Sequence, residues 1–279
     1  MKLSSAFKGY EENFIRFANQ SNRTLEIHKY VEKNLIQYFG DIDLEDLTVE
    51  MIGQWKLDLE KSRSQNTVRC YVIKIRDVIS YWNKRHLGCI DVDLIPLPKR
   101  QEIVPVFLTE KEVAKMIDCS TNIRTKFVIS LLYASGIRLS EFISMDIGQI
   151  VDKRFTIIGK GGKPRLCFID ERTERLMDEY LSTRNDSSRA LVVSYEYKRR
   201  MTATNVQLLV RNAARRAGIN KKVTPHTLRH SYATNFLKNN GNMRYLSYAM
   251  GHNSLNTTAM YAHVVNVDLE AQYRKYHTI

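Results

Sequence analysis

RFTIIGKGGKPRLCFI, residues 154–169, is the stretch that decides the fold. It holds two short β-rich runs joined by a Gly-Lys-rich turn, which predicts a hairpin. The sequence on either side is helical. Upstream, Thr109 and Glu112 stand at capping-box spacing and open a helix, and an apolar helix over about 124–134 ends at Gly136. Downstream, helices are predicted at about 171–182, 204–217, 226–239, 243–250 and 255–262. The part from 108 onward therefore reads as mostly helical with one small sheet.

Further outward, IDVDLIPLPKRQEIVPVF (residues 90–107) carries three prolines, which a helix interior does not tolerate. Before it, four helices are predicted at about 5–19, 23–38, 48–61 and 65–85. In the last, Val68, Tyr71, Val72, Ile75, Val78, Ile79 and Trp82 follow helical spacing and face a core. Arg69, Lys74, Lys84 and Arg85 fall off that stripe and are candidates for phosphate contact; the plainer reading is a solvated face. The expected organisation is a helical domain over 1–90, a linker over 91–107 and a second domain over 108–279. The fold class is mainly α with a small antiparallel sheet in the C-terminal domain.

With 279 residues, 43% of them hydrophobic, the chain has enough apolar material for two cores. No run of eighteen apolar residues appears, and MKLSSAFKGYEENF lacks the apolar block of a signal peptide, so a cytoplasmic protein with no membrane partner is expected. Cys70, Cys89, Cys119 and Cys167 lie far apart and are expected to be buried, reduced thiols. The net charge of +13 is unevenly spread. Residues 1–100 hold 16 Lys and Arg against 14 Asp and Glu, whereas residues 101–279 hold 27 against 16. The second part is the one suited to gripping a polyanion, and nucleic acid is the leading partner.

Four segments carry chemistry: SGIRLSE around Arg138, GKGGK around Lys160, PHTLRHSYAT with His226 and Arg229, and MGHNSLNTTAMYAH with His252 and Tyr261. In that order they resemble the tyrosine recombinase/integrase family: an arginine in G-[LI]-R-x-S-E, a lysine in a hairpin turn, H-x-x-R, G-H, and a tyrosine nine residues on. The resemblance covers essentially the whole chain. It implies an N-terminal core-binding domain of SAM-like type and a C-terminal catalytic domain, forming a two-domain DNA clamp. It also implies Tyr261 as nucleophile, Arg138 and Arg229 on the phosphate, His226 as base, His252 as a phosphate donor, and Lys160 as the acid that protonates the leaving 5′ oxygen. Lys163 is the rival for that last role and otherwise a DNA contact. Glu141, one turn after Arg138, is expected to orient that arginine.

Physical chemistry supports the same assignment. Phosphoryl transfer asks for positioning and clustered positive charge, and guanidinium offers two parallel donors that stay protonated. A phenol with a pKa of about 10 needs a base and a cationic surround. His226 and His230 stand four apart, as zinc ligands on a helix do, but no neighbouring carboxylate or thiolate completes a set, so no metal is expected. No phosphate-cradling G-x-x-x-x-G-K-[ST] loop appears, and no cofactor is expected.

The resemblance further implies double-stranded DNA with inverted core sites as partner and a homotetramer on that DNA, a heterotetramer with a paralogue being the alternative. Strand exchange through a 3′-phosphotyrosyl link and a Holliday junction would serve integration, resolution or inversion. The rivals are a DNA-binding regulator without catalysis and a type IB topoisomerase. Two positions depart from the family pattern: Asn242 and Gln149 stand where aspartate is usual, and altered local capping or packing is expected there. The tail from Ala262 to Ile279 offers Val264, Val265, Val267 and Leu269 for burial, on its own domain or on a neighbouring protomer.

Overall fold

The computed structural model describes residues 1–251 apart from 19, 21, 86, 88, 89, 102–104, 160 and 161. Lys160, His252, Tyr261, the helix expected at 255–262 and the tail after it lie outside the described residues. The chain divides into two compact units, 1–103 and 104–279.

The first unit is helical: α1 (Leu3–Tyr10), continued by a π-turn (Glu11–Ile15), α2 (Asn22–Phe39), α3 (Val49–Glu60) and α4 (Gln65–Asn83). Thr48 and Ser64 accept the Met51 and Thr67 amides and so start α3 and α4 at ordinary N-caps. Val68, Val72, Ile75, Val78 and Ile79 of α4 are buried with Val31, Leu35, Ile52 and Trp55. A Cβ on Gly9 would lie 2.8 Å from the Trp82 ring, so glycine is what lets α1 approach α4 this closely. The Trp82 indole completes the contact by donating to the Ala6 carbonyl at 3.0 Å. The segment expected as linker begins against this core, with a 3-10 turn (Val92–Leu94) and a buried Ile95.

In the second unit, α5 (Glu110–Asp118) starts at the expected capping box of Thr109 and Glu112. Next come α6 (Ile123–Ser135), α7 (Leu139–Ser144), β1 (Arg154–Ile158), β2 (Pro164–Phe168), α8 (Glu171–Ser182), α9 (Ala203–Arg216), α10 (Pro225–Lys238) and α11 (Met243–Met250). Phe127, Val128, Ile129, Leu131 and Leu132 are all buried, so α6 is apolar around its whole circumference and forms the centre, with α5, α8, α9 and α10 packed on it. Truncating Phe127 to alanine would cost about 3–5 kcal/mol. The fold class matches the expectation: among the described residues, β1 and β2 form one antiparallel pair in an otherwise helical chain.

Differences from the sequence reading are local. The helix expected over 5–19 changes pitch at the π-turn. The six-residue α7 was not foreseen, because its N-cap is Arg138 rather than a Ser, Thr, Asp or Asn. The cysteines are not uniformly buried: Cys167 is, Cys70 is half-buried, and Cys119 is exposed because it ends α5 at the surface. Asn242 caps α11, accepting the Arg244 amide at 2.8 Å as an aspartate would, and the Gln149 side chain accepts the Asp146 amide at 3.1 Å.

Candidate active site

Two glycines prepare the site. Gly136 ends α6 and Gly251 ends α11, each in the left-handed region with φ of 59° and 60°. A side chain at 136 would also collide with the Tyr232 ring, 2.4 Å from the position of a Cβ. These turns leave carbonyls pointing away from their helices, and arginines take them up.

Arg229 is one turn into α10, which starts at the Thr224 cap with Pro225 in the first position, where the missing amide is not needed. α10 is held rigidly. Ser231 accepts the Leu108 amide at 2.7 Å, and the Asn235 side-chain amide donates to the Leu108 carbonyl and the Tyr133 hydroxyl. The Arg229 side chain is only 3% exposed. Its terminal nitrogens donate to the Gly136 carbonyl and, at 2.6 Å, to the Met250 carbonyl.

Arg138 follows Gly136 by two residues and caps α7. Its backbone amide donates to the Glu141 carboxylate at 2.7 Å, its Nη1 donates to the same carboxylate at 3.0 Å, and its Nη2 donates to the Gly251 carbonyl at 3.1 Å. One-third of its side chain is exposed (33%), so it combines a fixed geometry with an open face. The expected pairing of Glu141 with Arg138 is present.

Sequence reasoning missed a third arginine. Arg165, on β2, is 3% exposed and donates from both terminal nitrogens to Glu141, at 3.0 and 2.5 Å, and from Nε to the Ala249 carbonyl at 2.9 Å. Burial pushes the Glu141 carboxyl up, but the hydrogen bonds from Arg165 and the Arg138 amide outweigh it and leave its pKa below the usual value. The same pair keeps Arg165 charged despite burial. The carbonyls of 249, 250 and 251 thus each receive a different guanidinium, Arg165, Arg229 and Arg138 in that order. Cations at the negative end of α11 are favourably placed, and the chain passes from this knot directly into His252.

His226, in the first turn of α10, is exposed, with its ring centre 4.4 Å from that of His230, edge to face. Desolvation by the surrounding protein, then the Arg229 and Arg138 charges, lower its pKa from 6.5. The imidazole is therefore neutral near pH 7 and able to accept a proton. Arg138, Arg229 and His226 are brought together; Lys160, His252 and Tyr261 fall outside the described residues. Lys163 is exposed at the foot of the hairpin turn, where its carbonyl accepts the Gly159 amide.

The cations proposed on α4 behave differently. Arg69 donates to the Pro98 carbonyl at 2.6 Å and Lys74 pairs with Asp77 at 2.9 Å, both partly buried. Lys84 is exposed, and Arg85 is exposed with its guanidinium 3.8 Å from the Tyr81 ring centre. The sequence reading placed α9 but did not single out its outer face, which presents Thr204, Gln207, Arg211 and Arg215. No helix of the described residues is long and apolar enough to cross a membrane.

Comparison with known proteins identifies the family. Residues 106–266 match the phage integrase family. The chain is 29% identical over 276 residues to tyrosine recombinase XerD of Oceanobacillus iheyensis, covering 92% of this chain and 93% of that protein. It is 33% identical over 218 residues to tyrosine recombinase XerA of Pyrococcus horikoshii, covering 76% of this chain and 75% of that one. Among solved structures, a lambda integrase tetramer bound to a Holliday junction superposes with a TM-score of 0.76 at 16% identity, over 91% of this chain and 78% of that one. A family match over more than half the residues, with relatives aligned along most of their own length, shows that the chain belongs to the phage integrase family of tyrosine recombinases, enzymes that cut and rejoin DNA.

Proposed function

We propose that this protein is a site-specific recombinase that cuts each strand by attack of the Tyr261 hydroxyl on a backbone phosphate, leaving a 3′-phosphotyrosyl link and a free 5′ hydroxyl. The observation that carries the proposal is the joint anchoring of Arg138 and Arg229 at the end of α11, beside a neutral His226. Two guanidiniums fixed before substrate arrives can stabilise charge on the non-bridging oxygens without reorganising. His226 takes the phenolic proton, His252 donates to the phosphate, and Lys160 protonates the departing oxygen, with Lys163 as the rival acid. Glu141 aims Arg138. The chemistry needs neither metal nor cofactor, since the bond energy is kept in the phosphotyrosine and returned on rejoining.

On this reading residues 1–90 are the core-binding domain, 91–107 the linker and 108–279 the catalytic domain. Lys84 and Arg85 are exposed and can meet phosphates, Arg85 from its place over the Tyr81 ring, whereas Arg69 and Lys74 would have to exchange partners to do so. The exposed, cationic face of α9 supports DNA contact by the second unit as well. The likeness to a lambda integrase tetramer on a Holliday junction supports four protomers on a four-way junction; inverted core sites and strand exchange in pairs are what the family resemblance implies.

The test uses two substrates. A supercoiled plasmid carrying two core sites should yield recombinant circles and a four-way junction, and Tyr261→Phe should abolish both. Relaxation without exchange would identify a type IB topoisomerase instead, and tight binding with no cleavage would identify a regulator.

A further inference from the structure

Arg165 lies in β2 with its side chain inward, and it meets three of the four motif-bearing segments. Through β2 it belongs to the hairpin whose turn contains Lys160 and Lys163. Its Nη1 also lies 3.1 Å from where a Cβ on Gly159 would be, so the first residue of that turn packs on the guanidinium. Two donors grip Glu141, which in turn holds the Arg138 amide and side chain. Its Nε holds the Ala249 carbonyl, two residues before Gly251. At Gly251 a Cβ would again meet Arg165, 3.1 Å from both Cδ and Nη1.

The neighbouring positions on the strands explain why this is not ordinary sheet packing. Arg154, Thr156 and Ile158 face outward with Pro164, Leu166 and Phe168, while Phe155 and Ile157 face inward opposite Cys167 and Arg165. The strand thus exposes a leucine and a phenylalanine in order to bury an arginine. A pairing phase that puts the charge inside is unfavourable unless its partners specify it.

We infer that Arg165 is a positioning residue for strand cleavage: it couples the lysine-bearing hairpin, the Glu141–Arg138 pair and the end of α11 into one unit, without touching DNA itself. The inference rests on the recombinase reading above. A lysine at 165 keeps the charge but has no planar fork, so it can hold either Glu141 or Ala249 well, and not both. Glu141 is then free to shift, and Arg138 with it.

The test is single-turnover cleavage of a nicked core-site duplex at saturating DNA by wild type, Arg165→Lys, Glu141→Gln and the double variant. DNA affinity and thermal unfolding are measured alongside. Arg165→Lys should bind DNA within about threefold of wild type and unfold within about 5 °C of it, yet cleave about thirtyfold more slowly. Because Arg165 reaches Arg138 through Glu141, the double variant should lose less than the product of the two single losses. Should Arg165→Lys fold poorly, Arg165→Met/Glu141→Leu removes both buried charges together, an exchange that commonly leaves stability intact, and it should be folded and slow. Wild-type cleavage by either folded variant, or losses that multiply in the Arg165→Lys/Glu141→Gln double, would overturn the inference. Tyr261→Phe in the same assay keeps the two proposals apart. Cleavage by that variant overturns the recombinase reading, whereas a silent Tyr261→Phe beside a fully active Arg165→Lys overturns only the role of Arg165.

Discussion

α4 and α10 are both capped helices carrying arginines, and they use them in opposite ways. In α4 the apolar stripe faces inward and the cations lie outside it, tied to near neighbours: Lys74 to Asp77, Arg69 to Pro98 and Arg85 to the Tyr81 ring. In α10 the cation is inside. Arg229 is as buried as the core leucines around it and is satisfied by main-chain carbonyls at two helix ends. Arginine on a helix surface is replaceable packing and solubility. Arginine in an interior persists only where the backbone has been shaped to receive it, and the left-handed glycines at 136 and 251 do that shaping.

The contrast breaks most easily at Arg229. Arg229→Ala strands the Gly136 and Met250 carbonyls and removes transition-state charge. Cleavage should fall about a thousandfold or more, and urea denaturation should show a loss of about 2–4 kcal/mol. Arg69→Ala is the matched control on α4, expected within about 1 kcal/mol in stability and about twofold in cleavage. Equal effects from the two would erase the distinction.

His226→Gln should slow cleavage about a hundredfold. Burial and the two arginines lower the imidazole pKa, so the acid limb of wild-type cleavage should be centred below pH 6.5. The variant should lack that acid limb, and a wild-type limb centred above pH 6.5 would deny His226 the role of base.

His28 offers the same comparison in the first unit, for stability rather than catalysis. It is 4% exposed with its Nδ1 unpartnered. Burial, and then the Lys74 charge, push its pKa down to about 4 from 6.5, against the opposing pull of Asp77 and Glu11. The unfolded chain therefore takes up this proton first. Stability present above pH 6.5 is lost as the pH falls towards about 4, by at most about 3 kcal/mol. His28→Leu should flatten that part of the stability–pH curve, as followed by urea titrations across the range.

Lys84→Gln/Arg85→Gln should have the smallest effect, weakening DNA binding several-fold and lowering the salt-dependence slope by about 2. Cleavage at saturating DNA should not change.

Much of this was legible in the sequence, where local signals agreed with tertiary structure. The helices at 171–182 and 243–250 have the expected limits because Asp170 and Asn242 cap them and Thr183 and Gly251 end them. The Thr109 capping box and the hairpin followed from residue type alone. Arg165 was not legible. In PRLCF the apolar alternation argues for Leu166 and Phe168 inward, and the opposite phase is set by Glu141, 24 positions away in sequence. α7 was missed because its cap is the Arg138 backbone amide held by Glu141, an arrangement with only half a capping-box signature. The carbonyl knot at 249–251 is likewise invisible to pattern, since carbonyls have no letter in a sequence.

The most direct test of the whole account is to trap the protein on nicked core-site DNA, digest the complex and identify the residue that carries the phosphodiester by mass spectrometry. A single DNA-linked peptide modified at Tyr261 is the predicted result. A link at any of the other fourteen tyrosines, or full cleavage with no covalent protein–DNA species, would contradict it.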